Sequence, residues 1–240
     1  MLAAQLASTV LTVAVCFFPD AQLLDFAGPL DVLGALDAAR TILSPPPSQL
    51  LKFTYVGPDR LVTPTAGPRV AMDATYAELV ALENATQFDV VLVPGGWGTT
   101  PRIVPPDLLR FLQQQAPGAK YVMSVCTGAW LLAQAGLLDG KHATTNKALF
   151  DVVTSRSSSH IEWVHHARWV VDGKFWTSSG VTAGLDMTFA WVSQLVGQDV
   201  ADQIAGVIEH TPLAQDDDVF ADFWTHEKQA ELAEQVKDLL

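Results

Sequence analysis

Two stretches, FDVVLVPGG (88–96) and KYVMSVCTGAWLLAQAGLL (120–138), limit most strongly what this chain can fold into. Each begins as a short, almost unbroken apolar run and passes straight into a turn of small residues. The second then continues at once with helical spacing. Strands buried on both faces read this way, and they belong to parallel sheets covered by helices on both sides. The rest of the chain agrees. TVLTVAVCFF (9–18) and LLKFTYVGP (50–58) read as further strands, and PRVAM (68–72) as a short third. FAGPLDVLGALDAA (26–39) predicts a helix opening at its Gly-Pro, YAELVALEN (76–84) a helix stopped at Asn84, and DLLRFLQQQ (107–115) another. Repeated βαβ alternation implies a single α/β domain built on a mainly parallel central sheet.

Beyond residue 140 the pattern changes. NKALFDVV (146–153) has helical spacing, and ARWVVDGKFWTSS (167–179) carries two apolar stretches around Asp172-Gly173, a hairpin signal. Two long helical patterns follow at 182–197 and 199–210. AELAEQVKDLL (230–240) reads as a charged amphipathic helix able to cap the fold or a partner subunit. The domain is taken as 1–240, with a core of about 10–210 and a C-terminal helical extension of about 211–240. LSPPPSQ (43–49) reads as a surface loop within it.

Composition narrows the function classes. With 14 basic against 26 acidic residues the net charge is −12, and no Lys/Arg cluster occurs, which argues against a phosphate-tracking nucleic-acid surface. The two cysteines, Cys16 and Cys126, are too few for a disulfide scaffold or a paired-cysteine zinc site. The apolar N-terminal stretch lacks a basic leader and runs into the first strand, so it is read as core, and the location expected is cytoplasmic. No apolar run approaches the roughly 20 residues of a membrane helix.

In an open parallel sheet, sites form at the carboxyl ends of the strands. Cys126 follows a strand and precedes a helix, where helix-end amides and the dipole are expected to favour its thiolate. Cys16, mid-strand with no turn beside it, is read as core. Gly95 and Gly96 follow another strand; their amides, with that of Thr127, are oxyanion-hole candidates. Asp25 follows the first strand and reads equally as an N-cap or as a partly buried acid with a raised pKa. Trp97, Trp130 and Trp176 are candidates for pocket walls. None of the six histidines has a motif that ties it to Cys126, so a Cys-His hydrolase is unsupported.

Taken together and in order, QLLDFAGPLDVL, DVVLVPGG, SVCTGAWLLAQAGLLDGKHATT and ARWVVDGKFWTSSGVTAGLDM resemble the ThiJ/PfpI superfamily, relatives of class I glutamine amidotransferases. Within it they look most like the isonitrile-hydratase branch and the sensor-like domain of certain AraC-type regulators. The resemblance covers about residues 12–210 and implies a flavodoxin-like three-layer sandwich, a homodimer, a small-molecule substrate, and no metal or organic cofactor. The branch implies hydration of an isonitrile to a formamide, with Cys126 as nucleophile, Asp25 as acid, and Gly95, Gly96, Trp97, Thr127 and Gly128 at the pocket. Thr127 stands where peptidase-like relatives carry a histidine. Asn146 and Lys147 stand where isonitrile hydratases carry a histidine and an aromatic, so Asn146 is a pocket candidate and the substrate is open. Two alternatives use the same cysteine: a glyoxalase- or deglycase-like reaction on carbonyls, and a redox sensor that does not turn over.

Overall fold

The computed structural model describes residues 9–38, 49–81 and 86–240. Its centre is a seven-stranded sheet with the order β10-β11-β7-β6-β1-β2-β5. Strand β1 (Thr9–Cys16) runs parallel to β2 (Gln49–Gly57) on one side and to β6 (Val90–Val93) on the other. β7 (Tyr121–Ser124) extends the sheet beyond β6, and β11 (Phe175–Ser178) lies beyond β7, all parallel. Only β10 (Trp169–Asp172) is antiparallel; it forms the predicted hairpin with β11, turning at Gly173 with φ 59°. All four residues of β6 are buried, as its uninterrupted Val-Val-Leu-Val run requires.

One face carries helices α1 (Leu23–Ala38), α6 (Ala183–Val196) and α7 (Gln198–Val207). The other carries α2 (Tyr76–Ala81), α3 (Pro106–Gln115) and α4 (Gly128–Gln134). The architecture is the α/β sandwich expected from the sequence. The chain continues through α5 (Phe150–Ser155), α8 (Val219–Phe223) and α9 (His226–Gln235); α9 packs on α5 and on the 3-10 turn Lys147–Leu149. The amphipathic tail therefore caps the fold itself.

One local expectation is corrected. α1 begins at Leu23, ahead of the Gly-Pro, so Pro29 lies inside the helix and cannot donate to the Asp25 carbonyl. PRVAM forms the short strand expected, outside the main sheet: β4 (Val70–Ala71) pairs with β3 (Leu61–Val62) as a separate two-stranded ribbon, and the edge beside β2 is β5 (Ala74–Thr75). A further two-stranded pair joins β8 (His142–Ala143) and β9 (Glu162–Trp163). The helix stop at Asn84 and most of LSPPPSQ lie outside the described residues.

The chain passes from β1 to β2 on one side and returns to β6 on the other. The gap between β1 and β6 is the topological switch point, where the carboxyl ends of the strands leave a crevice. Asp25, Gly95 and Cys126 follow β1, β6 and β7 at that end.

Candidate active site at the strand-to-helix elbow

Cys126 holds φ at 58°, a left-handed conformation that costs a non-glycine residue of order 1–3 kcal/mol. The surrounding backbone imposes it. The Cys126 N–H donates to the Ser179 carbonyl at 2.8 Å and the Ser178 carbonyl at 3.2 Å, and the Thr145 hydroxyl donates to the Cys126 carbonyl at 3.0 Å. Gly128 lets the elbow close: a Cβ there would stand 2.3 Å from the Val93 carbonyl oxygen. The turn thus packs the start of α4 directly on the end of β6.

Asp25 sits in the first turn of α1 and is fully buried. It is not an N-cap, because its Oδ2 accepts the Gly95 N–H at 2.8 Å across the crevice. Its Oδ1 is buried without a hydrogen bond. Burial raises the Asp25 pKa to about 7, opposed by the Gly95 amide and by the Cys126 thiol. A carboxyl with one oxygen unpaired in a dry site is one that readily holds a proton.

The cysteine departs from expectation. Burial, and then the Asp25 charge, push the Cys126 pKa well above the ordinary thiol value, against hydrogen bonds from the Thr127 amide and side chain and from Asn146. Only 7% of the residue is exposed, and α4 spans just 7 residues, so its dipole does not offset the desolvation. Cys126 and Asp25 therefore form a coupled pair: at neutral pH the sulfur holds its proton and Asp25 is the group near its titration point.

The oxyanion expectation changes too. The Gly95 amide is engaged by Asp25, and the Gly96 amide donates to Thr127 Oγ1 at 2.9 Å. The free donors aimed at the sulfur are the Thr127 N–H and the Asn146 side chain. Asn146 Oδ1 accepts the Leu149 N–H at 3.3 Å, which turns its NH₂ toward the site.

A cavity of about 210 Å³ opens at Cys126; Gly96, Trp97, Thr127 and Asn146 reach its wall. Gly95 and Gly128 lie behind that wall, where a Cβ on Gly95 would press on the Thr127 amide at 2.6 Å and on Asp25 at 2.9 Å. Leu149, Val181 and Leu232 supply the apolar lining. Trp130 and Trp176 are buried in hydrophobic clusters and do not line it. No histidine lines it among the described residues. Leu232 and Val181 carry no motif; the only hint of Leu232 was the apolar side of the tail helix, which needed something to cover.

No group of three or more His, Cys, Asp or Glu residues is placed to hold a metal ion, and no helix is long and apolar enough to cross a membrane, among the described residues.

Comparison with known proteins matches this arrangement to a family. Isonitrile hydratase of Pseudomonas putida is 34% identical over 203 residues, 84% of this chain and 79% of that protein. A deglycase of Pyrococcus horikoshii is 30% identical over 135 residues, 56% of this chain and 74% of that protein. The crystal structure of a ThiJ/PfpI family protein from Pseudomonas syringae superposes with a TM-score of 0.74 at 25% identity, covering 98% of this chain and 90% of that one. The family model described as DJ-1/PfpI matches residues 11–194, and the chain belongs to the DJ-1/PfpI family.

Proposed function

We propose that the protein is a cysteine-dependent hydratase that adds water to an isonitrile, R–N≡C, to give the formamide R–NH–CHO. The carrying observation is the Cys126–Asp25 pair: Cys126 lines a mostly apolar cavity, and fully buried Asp25 lies against it with Oδ1 unpaired. Similarity to isonitrile hydratase over most of the chain supports the choice of substrate class.

The pair suits this reaction because an isonitrile carbon must receive both a nucleophile and a proton. Ionised Asp25 takes the thiol proton as the sulfur attacks the terminal carbon, and the new C–S bond forms. Asp25 then returns that proton to the same carbon, giving the thioimidate R–N=CH–S–Cys126. Water adds to this carbon while its proton passes to nitrogen. The C–S bond breaks, the formamide leaves, and the hydroxyl proton returns to sulfur. The Thr127 amide and the Asn146 side chain hold the sulfur during attack and departure. Mass balance is one isonitrile and one water per formamide, with no electron transfer.

Formamide release from cyclohexyl isocyanide is the test. Turnover by wild type is expected, with a loss of at least about 10³-fold in Cys126→Ala. No formamide from wild type, or equal rates for both proteins, refutes the proposal. Lactate from methylglyoxal in place of formamide assigns the pair to a glyoxalase-like reaction on carbonyls instead.

A further inference from the structure

Lys147 is 2% exposed, and the chemistry proposed above makes no use of it. Burial pulls its pKa down to about 8 against the charge of Asp218, so the ammonium stands there at a cost. A buried ion pair is weak evidence for stability, since well-packed apolar side chains of similar volume often hold a fold as well or better. The destinations of its hydrogen bonds point to another role.

The Lys147 ammonium donates to Thr144 Oγ1 at 2.8 Å, the Ala167 carbonyl at 3.1 Å and the Thr145 carbonyl at 3.4 Å. Asp218 Oδ2 lies 3.3 Å away as its ion-pair partner. Those bonds reach the two segments that hold Cys126. On one side, Thr145 donates its hydroxyl to the Cys126 carbonyl at 3.0 Å, and Asn146 turns its amide toward the sulfur. On the other, the carbonyl of Arg168, next to Ala167, accepts the Ser179 N–H at 2.7 Å, and the Ser179 carbonyl accepts the Cys126 N–H at 2.8 Å. Hydrogen bonds on both sides of the strained elbow therefore trace back to groups gripped by one ammonium.

We propose that Lys147 is the positioning residue of the cysteine centre: its ammonium fixes segment 144–146 against segment 167–168 and thereby keeps the Asn146 amide on the Cys126 sulfur. Lys147 does not line the Cys126 cavity, and it acts through Asn146. The inference deepens, and rests on, the cysteine chemistry proposed above, because a donor held on the sulfur favours the thiolate that attacks and later departs. A purely structural tie has a different signature. Its loss lowers the unfolding midpoint and leaves the reactivity of the folded thiol unchanged.

Alkylation of Cys126 by iodoacetamide, a neutral reagent, reads this role without any isonitrile: an S–C bond forms, iodide leaves and the thiol proton passes to the buffer. Rates at pH 7 are followed by intact mass with the modified residue mapped. The variant is Lys147→Met with Asp218→Asn, which removes both charges so that neither is left buried alone; circular dichroism reports whether it is folded. Its Cys126 is expected to react about tenfold more slowly than wild type, the scale of one hydrogen bond to a charged group. In an Asn146→Ala background the same two changes are expected to slow the reaction by less than about twofold, because the donor they position is already gone. Equal rates in the folded variant, a faster rate, or an undiminished loss without Asn146 overturns the proposal. If the double variant does not fold, Thr144→Val decides by the same comparison; it keeps both charges, removes the shortest of the three bonds, and should slow the reaction about threefold. With cyclohexyl isocyanide the double variant should lower kcat about tenfold and leave KM within about threefold. Slowed alkylation with no hydration of any isonitrile by wild type retains the role of Lys147 and rejects the hydratase.

Discussion

Asp25 pays for its position. Burial raises its carboxyl pKa to about 7 in the folded protein from 3.8 in the open chain, so the folded protein binds the extra proton between those values. Stability from this residue is present at low pH and is lost as pH rises toward 7. Asp25→Asn cannot ionise, so it should match wild type at about pH 3.5 and be more stable by about 4 kcal/mol at pH 8, as read by thermal unfolding at both values. The same variant should lose 10²-fold or more in kcat/KM. Wild-type kcat/KM should rise through a single apparent pKa near 7, because the ionised carboxylate takes the thiol proton. At this scale the sequence was readable in part. The elbow at Cys126 showed itself through Ser-Val-Cys-Thr-Gly, and Asp25 through its place after β1. The ionisation state was hidden, because desolvation depends on what packs around a sulfur, and Asn146, Val181 and Leu232 reach the site from separate segments.

Among the elements, the main-sheet strands β1, β2, β6, β7 and the β10–β11 hairpin were legible because each carries several consecutive apolar residues. Of the two-residue segments β3, β4, β5, β8 and β9, only β4 was legible, within PRVAM; the others are too short to show a period, and tertiary contacts decide them. The start of α1 was misplaced for a related reason: Gly-Pro is a helix-opening signal locally, yet burial of Phe26 and Asp25 against the crevice sets the helix two residues after Ala21. Helix α9 matters most for function at this scale, since it brings Leu232 to the Cys126 cavity. Its N-terminus is tied down by Thr225, whose hydroxyl accepts the Lys228 N–H, and by buried Gln229, which accepts the Asp151 N–H at 2.8 Å. Leu232→Ala should raise KM for an isonitrile several-fold with kcat within about threefold, because it removes wall area and no reacting group. Steady-state kinetics with cyclohexyl isocyanide checks this.

Across the whole molecule, the C-terminal extension beyond the family-matched residues 11–194 is joined to the core by buried charge. Asp218, the residue before α8, pairs with Lys147 at 3.3 Å with both side chains 1% exposed, and desolvation pulls the Lys147 pKa down to about 8 despite that partner. Asp218→Ala leaves the ammonium buried without its counter-charge and should lower unfolding stability by about 3–5 kcal/mol, measured by denaturant titration at pH 7. The sequence showed no sign of this link, because a lone lysine after Asn146 and an aspartate in an acidic run carry no pattern. The wall of the Cys126 cavity draws on Gln22, Trp97, Asn146, Val181 and Leu232, which are scattered from one end of the chain to the other. During synthesis, N-terminus first, the ribosome releases the sheet and the elbow well before position 232 emerges. A nascent chain therefore carries Cys126 in an unroofed trough until helix α9 has left the tunnel.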